Sequence, residues 1–328
     1  MSSKKQVKTG RFIKNFSKIS KKDVGIAGGK GASLGEMTKA GIPVPPGFVI
    51  LAPAFDYFIT NAPKSPISET GLDITAQLFK VNYDDTNSID KTSNIIRDIM
   101  QDTMVPGELA KEVMAEFKKL KAKYVAVRSS ATAEDSSIAS WAGELETYLN
   151  TEEKSLLTNV KKCWSSLFTP RAIFYRYEKK MVDQRVSVAV VVQQMIQSEI
   201  SGICFTVHPI TKDRNQMVIE AGYGLGEAIV SGQITPDTYV IDKRDFSLSD
   251  INVAEQKKMF IRKPSGGNVW KAVPKAKQDK QTLTGKEIVK LAKLCDKIEK
   301  HYKKPQDIEW AFAGGKFYIT QSRPITTL

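Results

Sequence analysis

Apolar residues in the first half of the chain recur mainly at intervals of three and four, the spacing of a helix that buries one face. Short apolar runs bounded by proline, glycine and polar residues separate these stretches and indicate strands. Helices are predicted over residues 32–39, 74–80, 93–103, 107–121, 152–167 and 170–181. Strands are predicted over residues 48–51, 124–127 and 144–149. This half therefore combines helices with a few short strands.

The second half has a different pattern, because β-branched and alternating residues replace most of the helical spacing. Strands are predicted at residues 186–194, 202–206, 216–220 and 237–242. One long helix follows at 284–302, where apolar residues recur at helical spacing. Gly314-Gly315, between two apolar runs, predicts a terminal hairpin. This order of elements predicts an α+β fold with antiparallel sheet dominating the second half.

Length and composition place the chain among globular proteins. Its 328 residues, 41% of them hydrophobic, are enough for two domains or one large two-lobed unit. The most apolar run, residues 186–192, is far shorter than the roughly 20 residues of a membrane helix, so no membrane segment is predicted. No secretory signal is recognised, and the cytoplasm is the expected compartment. Cys163, Cys204 and Cys295 are widely separated beside apolar residues, which predicts core thiols.

The formal net charge of +13 is distributed unevenly. Residues 1–22 carry eight Lys or Arg and no acid, and residues 257–280 carry eight basic residues and one acid. We interpret the first block as a basic, disordered tail and the second as a solvated lysine-rich surface. Neither block has interleaved aromatic residues or a nucleic-acid-binding signature, so nucleic acid is not predicted as a partner. The charge favours an anionic ligand only weakly.

The segment Gly28-Gly29-Lys30-Gly31 is the first with candidate chemistry. Glycines let backbone N–H groups approach a phosphate, and a lysine adds a mobile positive charge. The spacing does not match the P-loop of nucleotide triphosphatases, because glycine follows the lysine where Ser or Thr is required. Taken alone, the segment is as consistent with a structural turn at a helix entry as with a nucleotide site.

Two further segments combine charged residues with small ones. Arg128, at the end of a predicted strand, precedes a Ser, Thr and Ala loop, an arrangement that can present a guanidinium to phosphate oxygens or form an ordinary capped loop. The glycines of 222–226 invite a dinucleotide-binding interpretation. Their spacing excludes it, because Glu227 and Ile229 stand where the fingerprint requires glycine.

The terminal hairpin carries Asp307, Glu309, Gln321 and Arg323. Carboxylate and amide oxygens suit magnesium. A plain two-residue turn at Gly314-Gly315 would pair Glu309 with Thr320 and direct Gln321 to the opposite face. A metal site formed by Glu309 and Gln321 therefore predicts an odd-length loop or a bulge.

Taken together, these segments resemble the N-terminal nucleotide-binding domain of the pyruvate phosphate dikinase and phosphoenolpyruvate synthase family. The matching phrases run in order from about residue 24 to 328 and include GGKGASLGEM, IPVPPGF, AVRSSATAED, WAGELETYLN, GLGEAIVSGQITPD and ITQSRPITT. The resemblance implies an ATP-grasp fold with ATP held between two lobes, which we expect at residues 23–184 and 185–328.

The resemblance also implies roles for individual residues. Lys30, Arg128 and Arg323 would act on the ATP phosphates, and Glu309 and Gln321 would hold Mg²⁺. The other residues expected at the nucleotide are Gly143, Thr147 and Gln193, the last beside the adenine with Met195 nearby. Trp141 and Glu144 depart from the Phe and Gln that are common in the family around the loop glycine, and Glu144 puts a negative charge near a phosphate-binding loop.

Family enzymes relay phosphate through a histidine on a swivelling domain to pyruvate in a barrel domain, and neither segment is recognised in this sequence. We therefore expect a dikinase-type phosphotransferase that converts ATP, pyruvate and water into phosphoenolpyruvate, AMP and phosphate with a partner chain that carries the histidine and the barrel. Rifampin phosphotransferase, pyruvate phosphate dikinase and a non-catalytic ATP-binding regulatory module are the alternatives. His208 and His301 do not match the phosphocarrier position and are expected to be structural.

Overall fold

The computed structural model of the chain describes residues 11–61, 74–132, 146–181 and 187–326. The chain divides into two compact units. The first comprises Met1–Gly35 and Pro46–Gln194, and the second comprises Glu36–Pro45 and Met195–Leu328.

The first unit is built on a five-stranded antiparallel sheet. Its strands are β1 (Ile13–Asn15), β2 (Gly47–Ile50), β3 (Val125–Ala131), β4 (Thr147–Thr151) and β5 (Val188–Gln194). They lie in the order β1-β2-β5-β3-β4, so the last strand in sequence occupies the centre. Every residue of β3 is buried, as expected for a strand with packing on both faces.

Seven helices accompany this sheet in the described part of the chain. They are α1 (Val24–Lys39), which continues into the second unit, α2 (Ala52–Asn61), α3 (Ile74–Leu78), α4 (Thr86–Asp102), α5 (Gly107–Leu120), α6 (Leu156–Ser165) and α7 (Pro170–Glu178). Trp164 of α6 is fully buried and stacks on Phe58 of α2 with ring centroids 5.0 Å apart. These apolar contacts stabilise the packing on one face of the sheet. Helix α1 packs on the other face.

The second unit is built on a six-stranded antiparallel sheet in the order β13-β12-β6-β7-β8-β9. Its strands are β6 (Ile200–Phe205), β7 (Gln216–Tyr223), β8 (Asp237–Asp242), β9 (Leu248–Asn252), β12 (Gln306–Ala313) and β13 (Lys316–Pro324). A separate hairpin is formed by β10 (Lys258–Arg262) and β11 (Asn268–Ala272). The helices of this unit are α8 (Glu227–Val230), α9 (Lys275–Gln278) and α10 (Gly285–Tyr302). The combination of helices and antiparallel sheet confirms the predicted α+β class.

Helix α10 begins with a capping box, in which Thr284 and Glu287 satisfy each other's backbone N–H groups. Five of its apolar residues are fully buried, namely Ile288, Leu291, Ala292, Cys295 and Ile298. All three cysteines are buried and free, which confirms the prediction of core thiols. Burial raises the pKa of the Cys163 thiol to about 12.

Two expectations about domain boundaries were wrong. Residues 11–22 are not a disordered tail, because β1 pairs with β2 and the side chains of Phe12, Phe16 and Ile19 are buried. The boundary between the units lies after Gln194 rather than at 184, because β5 is hydrogen-bonded between β2 and β3 and therefore belongs to the first sheet. Residues 1–10 lie outside the described residues.

The strand that carries Arg128 is also longer than predicted. We expected the strand to end before Arg128 and a loop to follow, but β3 continues to Ala131. The serines at 129 and 130 are therefore ladder positions that pair with Val190 and Ala189. No helix in the described part of the chain is long and apolar enough to cross a membrane.

Candidate active site

Helix α1 is interrupted at Gly28, which has φ 68° and ψ 170°. This region of backbone conformation is accessible almost exclusively to glycine. A Cβ atom at position 28 would also lie 2.3 Å from the carbonyl oxygen of Ser130. Gly28 therefore allows the chain to turn sharply against β3 two residues before Lys30. The segment Gly28-Gly29-Lys30-Gly31, for which the sequence allowed a structural turn at a helix entry, is thus part of a longer helix with a kink.

Strand β3 directs Arg128 toward the face that α1 covers. Ser130, two residues along the same strand, contacts the kink at Gly28, and alternate residues of a strand share a face. The side chain of Arg128 is buried, with 8% of the residue exposed. Its ladder partner on β4 is Thr147, so the two predicted nucleotide residues are neighbours on the same face.

Gln193 lies on the central strand β5, opposite Ala126 of β3 and Gly47 of β2. Because Ala126 is two residues from Arg128, Gln193 shares the face of Arg128 and Thr147. The residue is 2% exposed, and its Nε2 atom is buried without a hydrogen-bond partner. A buried amide donor without a partner is costly, and a ring nitrogen of a bound base would supply the missing acceptor.

In the second unit, the β12–β13 hairpin has the two-residue turn Gly314-Gly315, with φ of 55° and 72°. The register shifts between Glu309 and Trp310, and Glu309 pairs with Gln321 instead of Thr320. Of the two alternatives that a Glu309–Gln321 pair required, an odd-length loop or a bulge, the hairpin has the bulge. Nε2 of Gln321 donates to Oε1 of Glu309 at 2.9 Å.

Arg323, which the resemblance places at the ATP phosphates, forms an ion pair within the hairpin. It lies opposite Asp307 in the ladder, and its Nε donates a hydrogen bond to Oδ2 of Asp307 at 2.8 Å. Nη2 of Arg323 lies 2.8 Å from the same oxygen and completes the ion pair. More than half of the Arg323 side chain is exposed, which leaves it accessible to a ligand. Burial raises the pKa of Asp307, and the cation of Arg323 opposes this effect.

A third carboxylate lies on the same face of the second sheet. Glu220 of β7 pairs with Ile203 of β6, which pairs with Glu309 of β12. Burial, and secondarily the charge of Asp307, raise the pKa of Glu220. This face therefore carries concentrated negative charge, which favours a cation.

The donor set agrees with the expected ligands. The unpartnered Nε2 of Gln193 fits a nucleotide base, and the carboxylate of Glu309 with the amide oxygen of Gln321 fits Mg²⁺. Within the described residues no group of three or more His, Cys, Asp or Glu side chains is arranged to hold a metal ion. Mg²⁺ held by Glu309 and Gln321 would therefore take further oxygens from phosphates or water. Gly143, and with it Trp141 and Glu144, lies outside the described residues.

Three residues near these groups were not predicted to have a role at the site: Ser130, Glu220 and Asp307. Each belonged to a segment with candidate chemistry, but the chain pattern alone does not show which neighbours they contact. Nδ1 of His208 accepts hydrogen bonds from the N–H groups of Ile210 and Thr211, which holds a turn. His301 contacts Glu36 at 2.9 Å, so both histidines have structural partners.

Known proteins resemble the chain along almost its whole length. A probable phosphoenolpyruvate synthase of Archaeoglobus fulgidus is 48% identical over 94% of this chain and 41% of its own length. One from Methanocaldococcus jannaschii is 44% identical over 97% of this chain and 27% of its own length. The rifampicin phosphotransferase of Bacillus subtilis is 39% identical over 97% of this chain and 36% of its own length.

The chain thus spans less than half the length of each of these relatives. Residues 24–328 match the family described as the pyruvate phosphate dikinase AMP/ATP-binding domain. This match includes the kink at Gly28, Arg128, Gln193 and the terminal hairpin. The chain therefore belongs to the pyruvate phosphate dikinase AMP/ATP-binding domain family.

Proposed function

We propose that the chain is the ATP-binding, phosphoryl-transferring part of a phosphoenolpyruvate synthase-like enzyme with an ATP-grasp-type fold. The observation that carries the proposal is the grouping on one face of the first sheet. The Gly28 kink with Lys30, buried Arg128, Thr147 and the unpartnered Gln193 donor share that face. Cationic groups and a base-binding donor on one surface are what a nucleotide requires.

Each residue has a distinct part in the proposed chemistry. Gln193 binds the base through Nε2, and Thr147 lines the site beside Arg128. Lys30 and Arg128 neutralise phosphate charge, with Arg323 contributing a further cation. Glu309 and Gln321 hold Mg²⁺, which would neutralise charge on the transferred group. Catalysis then rests on positioning and electrostatic stabilisation rather than on a protein nucleophile of this chain.

The acceptor is proposed to be a histidine on another domain or chain, with pyruvate as the final acceptor in a barrel domain. The products would be phosphoenolpyruvate, AMP and phosphate, as in dikinase-type transfer. Relatives named phosphoenolpyruvate synthase at 44–48% identity support this choice. The 39% identity to a rifampicin phosphotransferase supports rifampicin as the second acceptor to test.

The test supplies ATP, Mg²⁺ and a separately expressed histidine domain of a phosphoenolpyruvate synthase, and measures AMP and phosphohistidine. We expect both products, with pyruvate and not rifampicin accepting the phosphoryl group once the barrel domain is added. Lys30→Ala and Arg128→Ala should each lower turnover by a factor on the order of 100 or more with the fold intact.

Lys39→Ala, at an exposed position of the same helix as Lys30, is the matched control and should leave the rate unchanged. Circular dichroism of each variant reports whether the fold is retained. Tight ATP binding without any AMP or phosphohistidine would instead favour a non-catalytic regulatory module. Unchanged rates in both active-site variants would refute the assigned site.

A further inference from the structure

The hydroxyl group of Ser130 joins the two sides of the kink in α1. The residue is fully buried on β3. Its Oγ accepts a hydrogen bond from the backbone N–H of Gly31 at 3.2 Å and donates one to the carbonyl oxygen of Ala27 at 3.0 Å. One side chain therefore satisfies a donor and an acceptor that lie about a hundred residues away in sequence.

The two backbone groups are the ones that would bond to each other in an unbroken helix. Residues 27 and 31 are four apart, and an α-helix joins the N–H of residue i to the C=O of residue i−4. Gly28 leaves the helical conformation, and the Ser130 hydroxyl bonds to both groups instead. Side-chain insertion into the helical ladder is an established cause of a sharp kink.

The packing around Gly28 fits this arrangement closely. A Cβ atom at position 28 would lie 2.2 Å from Oγ of Ser130, so no other residue leaves room for the hydroxyl. The three residues between the bonded groups are Gly28, Gly29 and Lys30. The backbone on both sides of Gly28, Gly29 and Lys30 is therefore hydrogen-bonded to one hydroxyl group on the strand that also carries Arg128.

We propose that Ser130 is a positioning residue that acts through Lys30, because it holds the kink that orients the Lys30 amine toward the nucleotide phosphates. The inference rests on the proposed ATP-binding function and extends it. Without the hydroxyl, the N–H of Gly31 and the carbonyl of Ala27 lose their shared partner, and α1 can close toward a regular helix. Lys30 would then lie in a different direction, while Gln193 would be unaffected.

The experiment compares Ser130→Ala with Ser129→Ala. Ser129 is also buried, and its hydroxyl donates to the carbonyl oxygens of Glu146 and Cys163 on the opposite face of β3. Affinities for ATP and for adenosine are measured by calorimetry. We expect Ser130→Ala to weaken ATP binding about tenfold, an effect of roughly one hydrogen-bond energy, and to leave adenosine binding unchanged. Ser129→Ala should lower the thermal midpoint without changing either affinity.

A double-mutant cycle tests whether Ser130 acts through Lys30. In the Lys30→Ala background, Ser130→Ala should cause no further loss of ATP affinity, because the positioned group is absent. Ser130→Thr retains the hydroxyl and should restore ATP binding to within about twofold of the wild type. If Ser130→Ala does not fold, Ser130→Cys, a weaker donor and acceptor, replaces it in the same comparison.

The outcomes separate this inference from the function on which it rests. A folded wild-type chain that does not bind ATP refutes the proposed function. Wild-type ATP binding that is equal in Ser130→Ala overturns only the positioning role. Equal losses of ATP and adenosine affinity in folded Ser130→Ala, or a fully additive loss with Lys30→Ala, also overturn it, because the serine would then support the unit as a whole.

Discussion

Gln193 carries a buried polar atom whose cost in stability is explained if the residue has the base-binding role that we propose. Its Nε2 atom is buried without a hydrogen-bond partner, and the neighbouring positions of β5 before it are apolar and fully buried. An unsatisfied buried amide lowers the stability of the folded state, because the unfolded chain hydrogen-bonds the same group to water. Such groups are retained where a ligand supplies the partner.

Replacing Gln193 with methionine therefore has opposite effects on stability and binding. Gln193→Met has a similar shape but no donor, so we expect the free energy of unfolding without ligand to rise by up to about 1 kcal/mol. ATP affinity should fall about tenfold, since the base loses a hydrogen bond. Chemical denaturation and calorimetry measure the two quantities. Gln194→Met, on the other face of β5, is the control, and an equal loss of affinity in it would contradict the assignment.

At the scale of elements, the kink of α1 depends on the pairing of one glycine with one strand. Gly28 has a conformation that other residues rarely adopt and touches Ser130 of β3. Gly25 lies in the same helix, yet among the described residues no atom outside its own stretch of the helix lies within 4 Å of the position that a Cβ would take. The two glycines are alike in sequence terms, but only Gly28 is required by its surroundings.

Alanine substitutions should distinguish these two glycines. Gly28→Ala adds backbone strain and a contact closer than atoms tolerate, so we expect it to lower the free energy of unfolding by about 2–4 kcal/mol. Gly25→Ala should raise it by about 0.5–1 kcal/mol, because alanine favours the helix. Urea titration of both variants measures the difference. Equal effects would show that the kink does not depend on Gly28.

The negative face of the second sheet makes a prediction about pH. The folded-state pKa of Glu220 is raised by burial and by Asp307, so the folded protein retains a proton that the unfolded chain has lost. Stability therefore falls as pH rises from about 4, the usual glutamate value, through the raised pKa.

Glu220→Gln removes this titration. We expect the variant to be more stable than the wild type at pH 7, with the difference disappearing below about pH 4, where both states of the wild type are protonated. Urea denaturation at several pH values measures it. Glu178→Gln, at an exposed position of α7, is the control. A variant that is less stable at pH 7 would indicate that the carboxylate has a stabilising partner.

For the whole molecule, ligand binding should appear as increased stability. A ligand that binds only the folded state stabilises it by about 2.7 kcal/mol at a concentration of one hundred times its dissociation constant. The charge distribution supports this expectation, because Lys30 and Arg128 are cationic, whereas Glu220, Asp307 and Glu309 concentrate negative charge on one face of the second sheet. ATP and Mg²⁺ should therefore each stabilise the folded state.

Thermal unfolding with ATP and Mg²⁺ should show a higher midpoint than with ATP and a chelator. The difference should disappear in Glu309→Ala, because the magnesium ligand is removed, whereas Lys39→Ala should retain it. Lys30→Ala should reduce the effect of ATP with or without the metal. A chelator-insensitive midpoint in the wild type would contradict the metal assignment.

Much of this organisation was predictable from local pattern. Strand β8 and helix α10 lie within a residue of the predicted positions, since periodicity and capping act over a few neighbouring residues. The order of motifs predicted the family, and a pair of Glu309 and Gln321 was expected to need an odd-length loop or a bulge, of which the structure has the bulge. The prediction of a disordered tail was wrong for residues 11–22, because isolated apolar residues such as Phe12 and Phe16 are buried only by partners far along the chain.

The sequence by itself determined the elements, the α+β class, the family and the set of residues with suitable chemistry. Tertiary structure alone decided which of them meet. Ser130 bonds across the kink about a hundred residues away, Arg323 pairs with Asp307, and Gln193 is left without a partner. The physical reason is the distance along the chain over which each influence acts. Periodicity specifies which face of an element is buried, whereas contacts between distant segments depend on how those faces pack.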